Sequence, residues 1–472
     1  MAADSSAPAS SAPAASPTAP APADADARPR AALHTLGCRL NAAETDLIRR
    51  QLEGAGYQVV PWGEQADLCV VNTCTVTAQA DAKSRQALRA VRRSTPAATL
   101  AVTGCYAQRQ PEALARQGLA DLVLGNAEKL RLLTHLDAPA AAGPPAEPAG
   151  PRVVAPRIPR EAFRVDGFDA GALITSDGDT RAHLKIQDGC DFMCTFCVIP
   201  AVRGRARPRA LDDLRAEAEA LAAAGYREVV LTGVNLGTYA DAGCDLVGVV
   251  DALNAIPGLA RIRISSIEPT TVDAGLLARM ADGAHRLVPF LHLPLQSGAA
   301  TVLAAMRRRY GPVEWRAFAD QALARVPGLC LGTDVMVGFP GEDDDAFAET
   351  VALLESLPLA YAHVFPYSAR AGTPAPRLPD PVPAPVRQRR AAVLRALSER
   401  KREAFHRRHL GRRLPVLFEQ PRASGVAQGY TENFIRVEVA VSDAVALRNR
   451  IASVQLLEAG PARVAGVLAA EP

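Results

Sequence analysis

Three cysteines in one short loop are the residues of this chain best suited to metal chemistry. Cys190, Cys194 and Cys197 are spaced C-x3-C-x2-C within a sequence of 472 residues. Three thiolates from one loop can ligate three irons of a cubane iron–sulfur cluster. No fourth cysteine stands close to them in the sequence, so one iron would stay open. The spacing predicts a cluster whose open iron binds a small molecule.

A structural zinc loop is the alternative for the same thiolates. Structural zinc sites usually take four ligands, arranged as two spaced pairs. No second pair stands at a suitable distance from this loop. The pattern therefore favours iron and sulfide, with zinc as the lesser alternative.

A second set of three cysteines follows three predicted strands. Short apolar segments at 32–36, 68–72 and 99–103 are followed at once by Cys38, Cys74 and Cys105. Strands that alternate with helices form βαβ units, and the carboxyl ends of parallel strands share one edge of the sheet. The three cysteines would meet at that edge, each near a helix N-terminus whose dipole favours a thiolate. Three unrelated buried cysteines are the alternative.

Two sets of three cysteines predict two clusters. The remaining cysteines, Cys69, Cys244 and Cys330, are expected to be packing residues.

The composition indicates a protein that stays in the cytoplasm. Hydrophobic residues make up 49% of the chain, and no run of eighteen apolar residues that could span a membrane occurs. The first thirty residues are rich in Ala, Pro, Ser and Asp and have no apolar stretch typical of a signal peptide. In a reduced compartment the cysteines are better explained as metal ligands and packing residues than as disulfides.

Two local runs of basic residues suggest a nucleic-acid partner, although the net charge is only +3. Arg203, Arg205, Arg207 and Arg209 follow the cysteine loop, and residues 386–413 hold eleven Arg and Lys against two Glu. Either run alone is more often a solvated helix face. Two runs, one of them beside a candidate active site, favour a phosphate backbone that lies across the protein.

Composition and periodicity divide the chain into six parts of an α/β protein. They are a disordered tail at 1–30, a parallel-sheet βαβ domain at 31–135, a Pro/Ala/Gly-rich linker at 136–160, a second α/β domain at 181–385 that forms an open or closed barrel, a basic amphipathic helix at 386–411, and a small antiparallel β-barrel at 412–468. His292 and His363 are interpreted as hydrogen-bonded core residues and receive no role.

The order of these features resembles the radical SAM methylthiotransferases, in which SAM is S-adenosylmethionine. The resemblance covers residues 31–468, and the segment at 429–434 is similar to the small RNA-binding barrel called TRAM. It implies an auxiliary [4Fe–4S] cluster in the N-terminal domain and a central radical SAM partial barrel with a second [4Fe–4S] cluster. It also implies that sulfur and a methyl group are added at an unactivated carbon. SAM, an electron donor such as flavodoxin or ferredoxin, and a sulfur donor are the implied partners.

Site residues follow from matching these motifs to the chain. Cys190, Cys194 and Cys197 would hold the SAM-cleaving cluster, and Cys38, Cys74 and Cys105 the sulfur-delivering one. The SAM pocket would be shaped by Phe196, Gly233, Asn235, Glu268, Gln296 and Val337. RNA contacts are expected from Arg203, Arg205, Arg407, Arg408, Arg412, Tyr430, Asn433 and Phe434, reading the anticodon loop by stacking and phosphate contacts.

Three branches of this family differ in their substrates. The stretches at 35–45, 72–77 and 103–108 look most like the branch that modifies threonylcarbamoyladenosine in tRNA at C2, next to the anticodon. The other branches modify isopentenyladenosine in tRNA or an aspartate of a ribosomal protein. A non-enzymatic, metal-stabilised RNA-binding protein is the alternative from a different class.

Overall fold

A computed structural model describes residues 28–136, 151–156, 158, 180–421, 425–460 and 462–469. The predicted tail up to residue 27 and residues 137–150 of the predicted linker lie outside the described residues. Among the helices that are described, none is long and apolar enough to cross a bilayer.

A six-stranded, all-parallel sheet with the order β2-β1-β3-β4-β5-β6 forms the N-terminal domain. Leu, Val and Ala fill its central strands because helices cover both faces of the sheet. Its elements are β1 Arg30–Thr35, α1 Arg39–Gly54, β2 Gln58–Val60, β3 Leu68–Thr73, α2 Ala78–Ser94, β4 Thr99–Gly104, α3 Cys105–Arg109, α4 Pro111–Arg116, β5 Leu122–Leu124, α5 Leu132–Leu136 and β6 Arg152–Val154.

Strand β6 falls within the segment predicted to be a linker. It pairs in parallel with β5, from Leu122 opposite Arg152 to Leu124 opposite Val154. The prediction rested on the small apolar content of the whole segment. An edge strand needs only a neighbour with free backbone groups, which β5 supplies.

The register of the sheet sets the positions of the residues that follow the strands. Thr35 lies opposite Asn72, Asn72 opposite Thr103, and Thr73 opposite Gly104. Gly104 has a φ of +96°, and a Cβ at this position would lie 2.4 Å from the carbonyl oxygen of Thr73. Only glycine fits this turn, in which the chain passes from β4 into α3.

Six parallel strands form the open barrel of the central domain. Two three-stranded sheets, β7-β10-β13 and β14-β15-β16, are joined by a parallel bridge between Ile262 and Leu287. Its elements are β7 Arg181–Lys185, β8 Gln187–Asp188, α6 Ile199–Arg203, β9 Arg207–Pro208, α7 Leu211–Ala223, β10 Glu228–Thr232, β11 Ala240–Asp241, β12 Cys244–Asp245, α8 Leu246–Asn254, β13 Arg261–Ile264, α9 Ala274–Ala281, β14 Phe290–His292, α10 Ala300–Ala305, α11 Pro312–Arg325, β15 Cys330–Val337, α12 Asp344–Ser356 and β16 Tyr361–Pro366.

The chain ends in a long basic helix and a small closed barrel. Helix α13 spans Ala384–Arg407 and is tied to β16 by Ser398, whose hydroxyl bonds the amide and the carbonyl of Ala362. The barrel has the order β17-β18-β19-β21-β20 and is built from β17 Arg413–Phe418, β18 Val426–Thr431, β19 Arg436–Ala440, β20 Ile451–Ala459 and β21 Val464–Leu468. The predicted fold class is confirmed, except that β19 and β21 pair in parallel within the otherwise antiparallel barrel.

A buried network of charges joins the N-terminal domain to the central one. Glu44 of α1 is fully buried and contacts Lys129, Lys185 at 2.7 Å and Arg203 at 2.9 Å. Lys185 and Arg203 also contact Asp188, at 2.8 and 3.0 Å. Burial alone would raise the pKa of Glu44, but the nearby Arg203, Lys129 and Lys185 hold this pKa well below its usual value.

Removing the Glu44 charge should weaken the fold strongly. In Glu44→Gln, the buried Lys129, Lys185 and Arg203 lose their shared counter-charge, so the free energy of unfolding should fall by about 3–5 kcal/mol. Urea unfolding followed by circular dichroism measures the loss. Glu219→Gln, which removes an exposed ion pair with Arg215 on α7, is the matched control and should cost about 0.5 kcal/mol or less. Equal losses of unfolding free energy in the two variants would show that the buried network stabilises the fold no more than an exposed ion pair does.

Candidate functional site

Cys38, Cys74 and Cys105 lie at one edge of the N-terminal sheet. Cys38 is the N-cap of α1, Cys74 follows β3, and Cys105 begins α3. A Cβ on Gly37 would lie 2.8 Å from the Cys74 sulfur, so the turn before Cys38 touches that thiol. Cys74 and Cys105 are buried, whereas Cys38 is exposed. The three thiols lie close enough to act on one another electrostatically.

The expected effect of the helix dipoles on these thiols is outweighed in the metal-free protein. Burial raises the pKa of Cys74 to about 11, and the neighbouring thiols of Cys105 and Cys38 raise it further. Burial likewise raises the pKa of Cys105. Helix α2 begins only at Ala78 and α3 is five residues long, so their dipoles act weakly on the sulfurs. A bound cation would be needed to make thiolates of these groups.

Arg203 contacts the sulfur of Cys105 and not the solvent. Its Nε donates a hydrogen bond to Cys105 Sγ over 3.2 Å, while its other nitrogens bond Glu44, Asp188 and Asn41. The side chain is 1% exposed. That Arg203 binds RNA stays a prediction, and in this structure α6 directs its guanidinium into the domain interface. Sequence reasoning missed its partners Glu44 and Asp188, which carry no local motif.

The loop of Cys190, Cys194 and Cys197 is fixed by backbone contacts. The Cys190 amide donates to the Gly204 carbonyl at 3.1 Å, and the Thr195 amide donates to the Met306 carbonyl at 3.1 Å. Apolar side chains surround the sulfurs, among them Phe192, Phe196, Ile199 and Val234. Burial raises the pKa of Cys190 to about 11 and that of Cys197 to about 12.

Arg308 is a functional residue that the sequence analysis missed. One of its terminal nitrogens donates to Cys194 Sγ over 3.2 Å, and the other pairs with the carboxylate of Glu268. This arrangement places a cation beside a predicted cluster ligand and a residue of the predicted SAM pocket. The run Arg307-Arg308-Arg309 was the available sequence signal, but nothing in it distinguished the middle residue.

Some of the predicted SAM-pocket residues lie beside the second cysteine loop: Phe196 packs on it, Glu268 lies near Cys190 and Cys194, and the turn of Gly233 contacts it through Val234. Gln187 accepts hydrogen bonds from the amides of Val234 and Asn235, which orders the turn after β10 that contains Gly233. The buried amide nitrogen of Asn235 has no hydrogen-bond partner among the described residues. Phe196 packs edge-on against Phe339, Gln296 has a φ of +69°, and Val337 is buried at the end of β15. An orphaned buried donor beside the loop fits a polar ligand such as SAM.

The separation of the sulfurs bears on the choice between iron–sulfur clusters and zinc. All nine cysteines are free thiols. Among the described residues, His292, Asp334 and His363 form the one group of three metal-binding side chains whose ligand atoms lie within 4.8 Å of one another. In neither cysteine set do all three sulfur atoms lie within 4.8 Å of one another. Three sulfurs that each lie about 2.3 Å from one zinc ion would meet this limit. The spacing suits a larger inorganic core better than a single ion.

A cavity of about 1280 Å³ lies between the N-terminal cysteine set and the ends of the barrel strands. Cys38 and Cys74 line it on one side and Gly233 on the other, and the next residue, Val234, packs against Cys190 and Cys194. Loops from the carboxyl ends of the barrel strands supply much of the remaining wall. A substrate in this cavity could contact Cys38 and Cys74 and reach the turn of Gly233, which borders the second cysteine loop.

His292 and His363 line the cavity together with Asp334. His292 Nε2 lies 3.0 Å from a carboxylate oxygen of Asp334, and His363 Nδ1 lies 3.4 Å from the same oxygen. Burial would raise the pKa of Asp334, but the hydrogen bonds from the two histidines lower this pKa far below its usual value. The interpretation of His292 as hydrogen-bonded is correct, yet both rings face the cavity and not a closed core.

The predicted RNA-binding residues separate into exposed and interior groups. Arg205, Arg407, Arg408 and Arg412 are exposed. Asn433 is buried, and its amide contacts the Gly328 carbonyl and His409. That Asn433 binds RNA stays a prediction. The amide holds the barrel against the central domain.

Tyr430 and Phe434 also lie in that interface. Their rings stack with centroids 4.8 Å apart, and Arg181 lies over Tyr430 while Arg263 lies over Phe434. Phe434 also contacts Phe290 of the central barrel, with centroids 5.1 Å apart. The aromatic pair therefore contributes to domain packing, a role that the motif alone did not indicate.

Family models match two parts of the chain. Residues 30–125 match a family described as uncharacterized protein family UPF0004, and residues 184–354 match the radical SAM superfamily. The first range contains Cys38, Cys74 and Cys105, and the second contains Cys190, Cys194 and Cys197.

Characterised relatives cover most of the chain. The threonylcarbamoyladenosine tRNA methylthiotransferase MtaB of Aquifex aeolicus is 37% identical over 87% of this chain and 96% of its own length. The protein of the same name from Bacillus subtilis is 35% identical, covering 91% and 94%. The tRNA-2-methylthio-N(6)-dimethylallyladenosine synthase of a Jannaschia species is 34% identical, covering 90% of each chain.

A solved structure shares the fold at low sequence identity. The radical S-adenosylmethionine methyltransferase TsrM from Kitasatospora setae, solved with tryptophan and a SAM analogue, matches with a TM-score of 0.52. The match covers 71% of this chain and 72% of that one at 19% identity. This likeness supports the arrangement of the parallel-sheet domain and the open barrel.

Loss of one cysteine from either set should remove one cluster only. Because each set would ligate its own core, Cys74→Ala and Cys194→Ala should each lower the iron content after anaerobic reconstitution from about eight to about four per chain. Iron and sulfide assays measure this directly. Cys69→Ala, at a buried thiol bonded to Thr95 outside both sets, is the control and should keep the full content. Complete iron loss in either single variant would contradict two independent sites.

Proposed function

This chain belongs to the radical SAM methylthiotransferases, and we propose that it adds a methylthio group to C2 of N6-threonylcarbamoyladenosine, next to the anticodon of tRNA. The observation that carries this proposal is the cavity, which is lined by Cys38 and Cys74 and reaches the turn beside the second cysteine loop. The relatives that carry this activity in their names match over nearly their whole length. The cytoplasm, where tRNA is processed, is the proposed location.

The two cysteine sets would hold two [4Fe–4S] clusters, one of which binds SAM. When bound, the SAM cluster supplies a radical and the N-terminal cluster supplies sulfur. Cys190, Cys194 and Cys197 would ligate the first, and Cys38, Cys74 and Cys105 the second. The electrons would come from a donor such as flavodoxin or ferredoxin, and the sulfur from a separate donor.

The residues of this chain position SAM and exclude water around it. Arg308 places a fixed positive charge between Cys194 and Glu268, and Gln187 fixes the turn of Gly233 and Asn235. The free amide nitrogen of Asn235 offers a donor to the cofactor. Phe192, Phe196 and Val234 form an apolar wall around the loop, which limits solvent access to a reactive intermediate.

The exposed arginines would bind the RNA backbone. Arg389, Arg395 and Arg400 of α13 are exposed, as are Arg407, Arg408, Arg412 and Arg413 at its end and beyond. Arg387 and Arg395 also line the cavity. This basic surface therefore runs from the barrel to the cavity mouth, a path that fits a tRNA anticodon arm whose modified base enters the cavity. Adenine C2 is accessible only when the base is unstacked, so base extrusion is expected.

The substrate can be identified from tRNA nucleosides of a deletion strain. If the proposal is right, mass spectrometry should show that the methylthio derivative of threonylcarbamoyladenosine disappears while threonylcarbamoyladenosine accumulates. Wild-type protein should restore the product, and Cys74→Ala should not, because it lacks the sulfur-delivering cluster. Loss of the methylthio derivative of isopentenyladenosine, with the threonylcarbamoyl nucleoside unaffected, would assign the chain to the other tRNA branch.

Arg407 and Arg408 should contribute to tRNA affinity through phosphate contacts. The double variant Arg407→Ala/Arg408→Ala should reduce the slope of log affinity against log salt by about 2, with weaker binding at low salt. Filter binding across a salt series measures both quantities. Arg215→Ala/Arg316→Ala, which removes two exposed arginines from α7 and α11, is the matched control. An unchanged slope in Arg407→Ala/Arg408→Ala would indicate that these two arginines face solvent and do not contact RNA phosphates.

A further inference from the structure

Arg39 is a cation without a partner at the centre of the proposed site. It is exposed to the cavity and lines both the large cavity and an adjoining one of about 450 Å³. Within the part of the chain that the structure describes, no hydrogen bond or ion pair reaches its guanidinium. The described charges in the neighbouring interior are paired, as Glu44 is with Arg203 and Glu228 with Arg263.

The charges around Arg39 leave it free to bind an anion. Tyr361, Arg181, Arg263 and Asp334 are the titratable groups that act on it. Asp334 is the one acidic residue among the described residues that line the large cavity, and its carboxylate is occupied by His292 and His363. Arg181 pairs with Glu419 and Arg263 with Glu228. A guanidinium held in a concave site without a counter-charge favours an incoming carboxylate or phosphate.

The position of Arg39 in the sequence places it near the carbon that would react. It directly follows Cys38, a proposed ligand of the sulfur-delivering cluster. In adenine, C2 and the carbon that bears the N6 substituent are both bonded to the same ring nitrogen. When C2 faces that cluster, the N6 substituent must therefore lie beside it, within reach of the next side chain. The threonylcarbamoyl group ends in a carboxylate there, whereas the dimethylallyl group is uncharged.

We propose that Arg39 binds the carboxylate of the threonylcarbamoyl group and so selects this nucleoside over one with an uncharged N6 substituent. The inference rests on the proposed function and names the group that sets substrate choice. A planar guanidinium can hold a carboxylate through two parallel hydrogen bonds, which fixes the orientation of the base as well as its charge. A neutral substituent would leave the cation desolvated and unpaired, which disfavours its binding.

The test pairs a variant of the protein with a variant of the substrate. One anticodon stem-loop RNA carries threonylcarbamoyladenosine, and a second carries the same group with its carboxylate converted to a carboxamide. For the wild type, kcat/KM of methylthiolation should be about 10- to 100-fold lower on the carboxamide RNA, the loss typical of a charge-assisted hydrogen bond. Arg39→Gln should show a similar loss on the carboxylate RNA and no further loss on the carboxamide RNA.

Controls separate recognition from damage to the cluster. Arg89→Gln removes an exposed arginine of α2 that lines neither cavity, and should behave as the wild type on both RNAs. The wild-type comparison of the two RNAs needs no variant, so it tests recognition of the carboxylate even if Arg39→Gln loses iron, and the variant then tests whether Arg39 is the group that binds it. Equal kcat/KM values of the wild type on the two RNAs would overturn the inference while leaving the proposed function intact. A further loss of kcat/KM when Arg39→Gln acts on the carboxamide RNA would do the same. Absence of product from wild-type protein on the threonylcarbamoyl RNA would overturn the proposed function itself.

Discussion

The buried ion network around Glu44 is the constraint on which the site depends. It brings α1 of the N-terminal domain against β7 and α6 of the central domain, and Arg203 extends it to the sulfur of Cys105. Charges taken out of water are stable only if every partner is in place, so the network permits one docking geometry and penalises others. The distance between the two cysteine sets is fixed by this docking, because each set belongs to a different domain.

Each cysteine set is positioned by a different device. The N-terminal set uses the in-register parallel strands β3 and β4, whose ends place Cys74 and Cys105 side by side. The second set uses a loop that is pinned by backbone hydrogen bonds and by tight glycine turns, since a Cβ on Gly189 would lie 1.9 Å from the Arg205 carbonyl oxygen. Burial raises the pKa values of Cys74 and Cys105 in the first set and of all three thiols in the second, so metal binding would supply the charge that makes these five groups thiolates.

The small C-terminal barrel is bound to the central domain by aromatic and cationic contacts. Arg261 donates to the carbonyls of Tyr430 and Pro415, and Arg263 donates to that of Glu432. Tyr430 and Phe434, the aromatic side chains typical of an RNA-binding motif, pack in this interface and also line the cavity of about 450 Å³. The proposed RNA surface is therefore made by the exposed arginines of α13, which the same interface holds beside the cavity mouth.

The sequence by itself determined the α/β class, the parallel N-terminal sheet, the open barrel, the closing β-barrel and the grouping of six cysteines into two sets. These properties follow from local periodicity and spacing, which a chain carries along its length. Only the tertiary structure decided that Arg203 and Asn433 face inward, that Arg308 contacts Cys194, that β6 joins the sheet, and that Arg39 lies unpaired between two cavities. Such roles depend on partners that are distant in the sequence, and an arginine has the same local pattern whether it pairs with a buried carboxylate or faces a substrate.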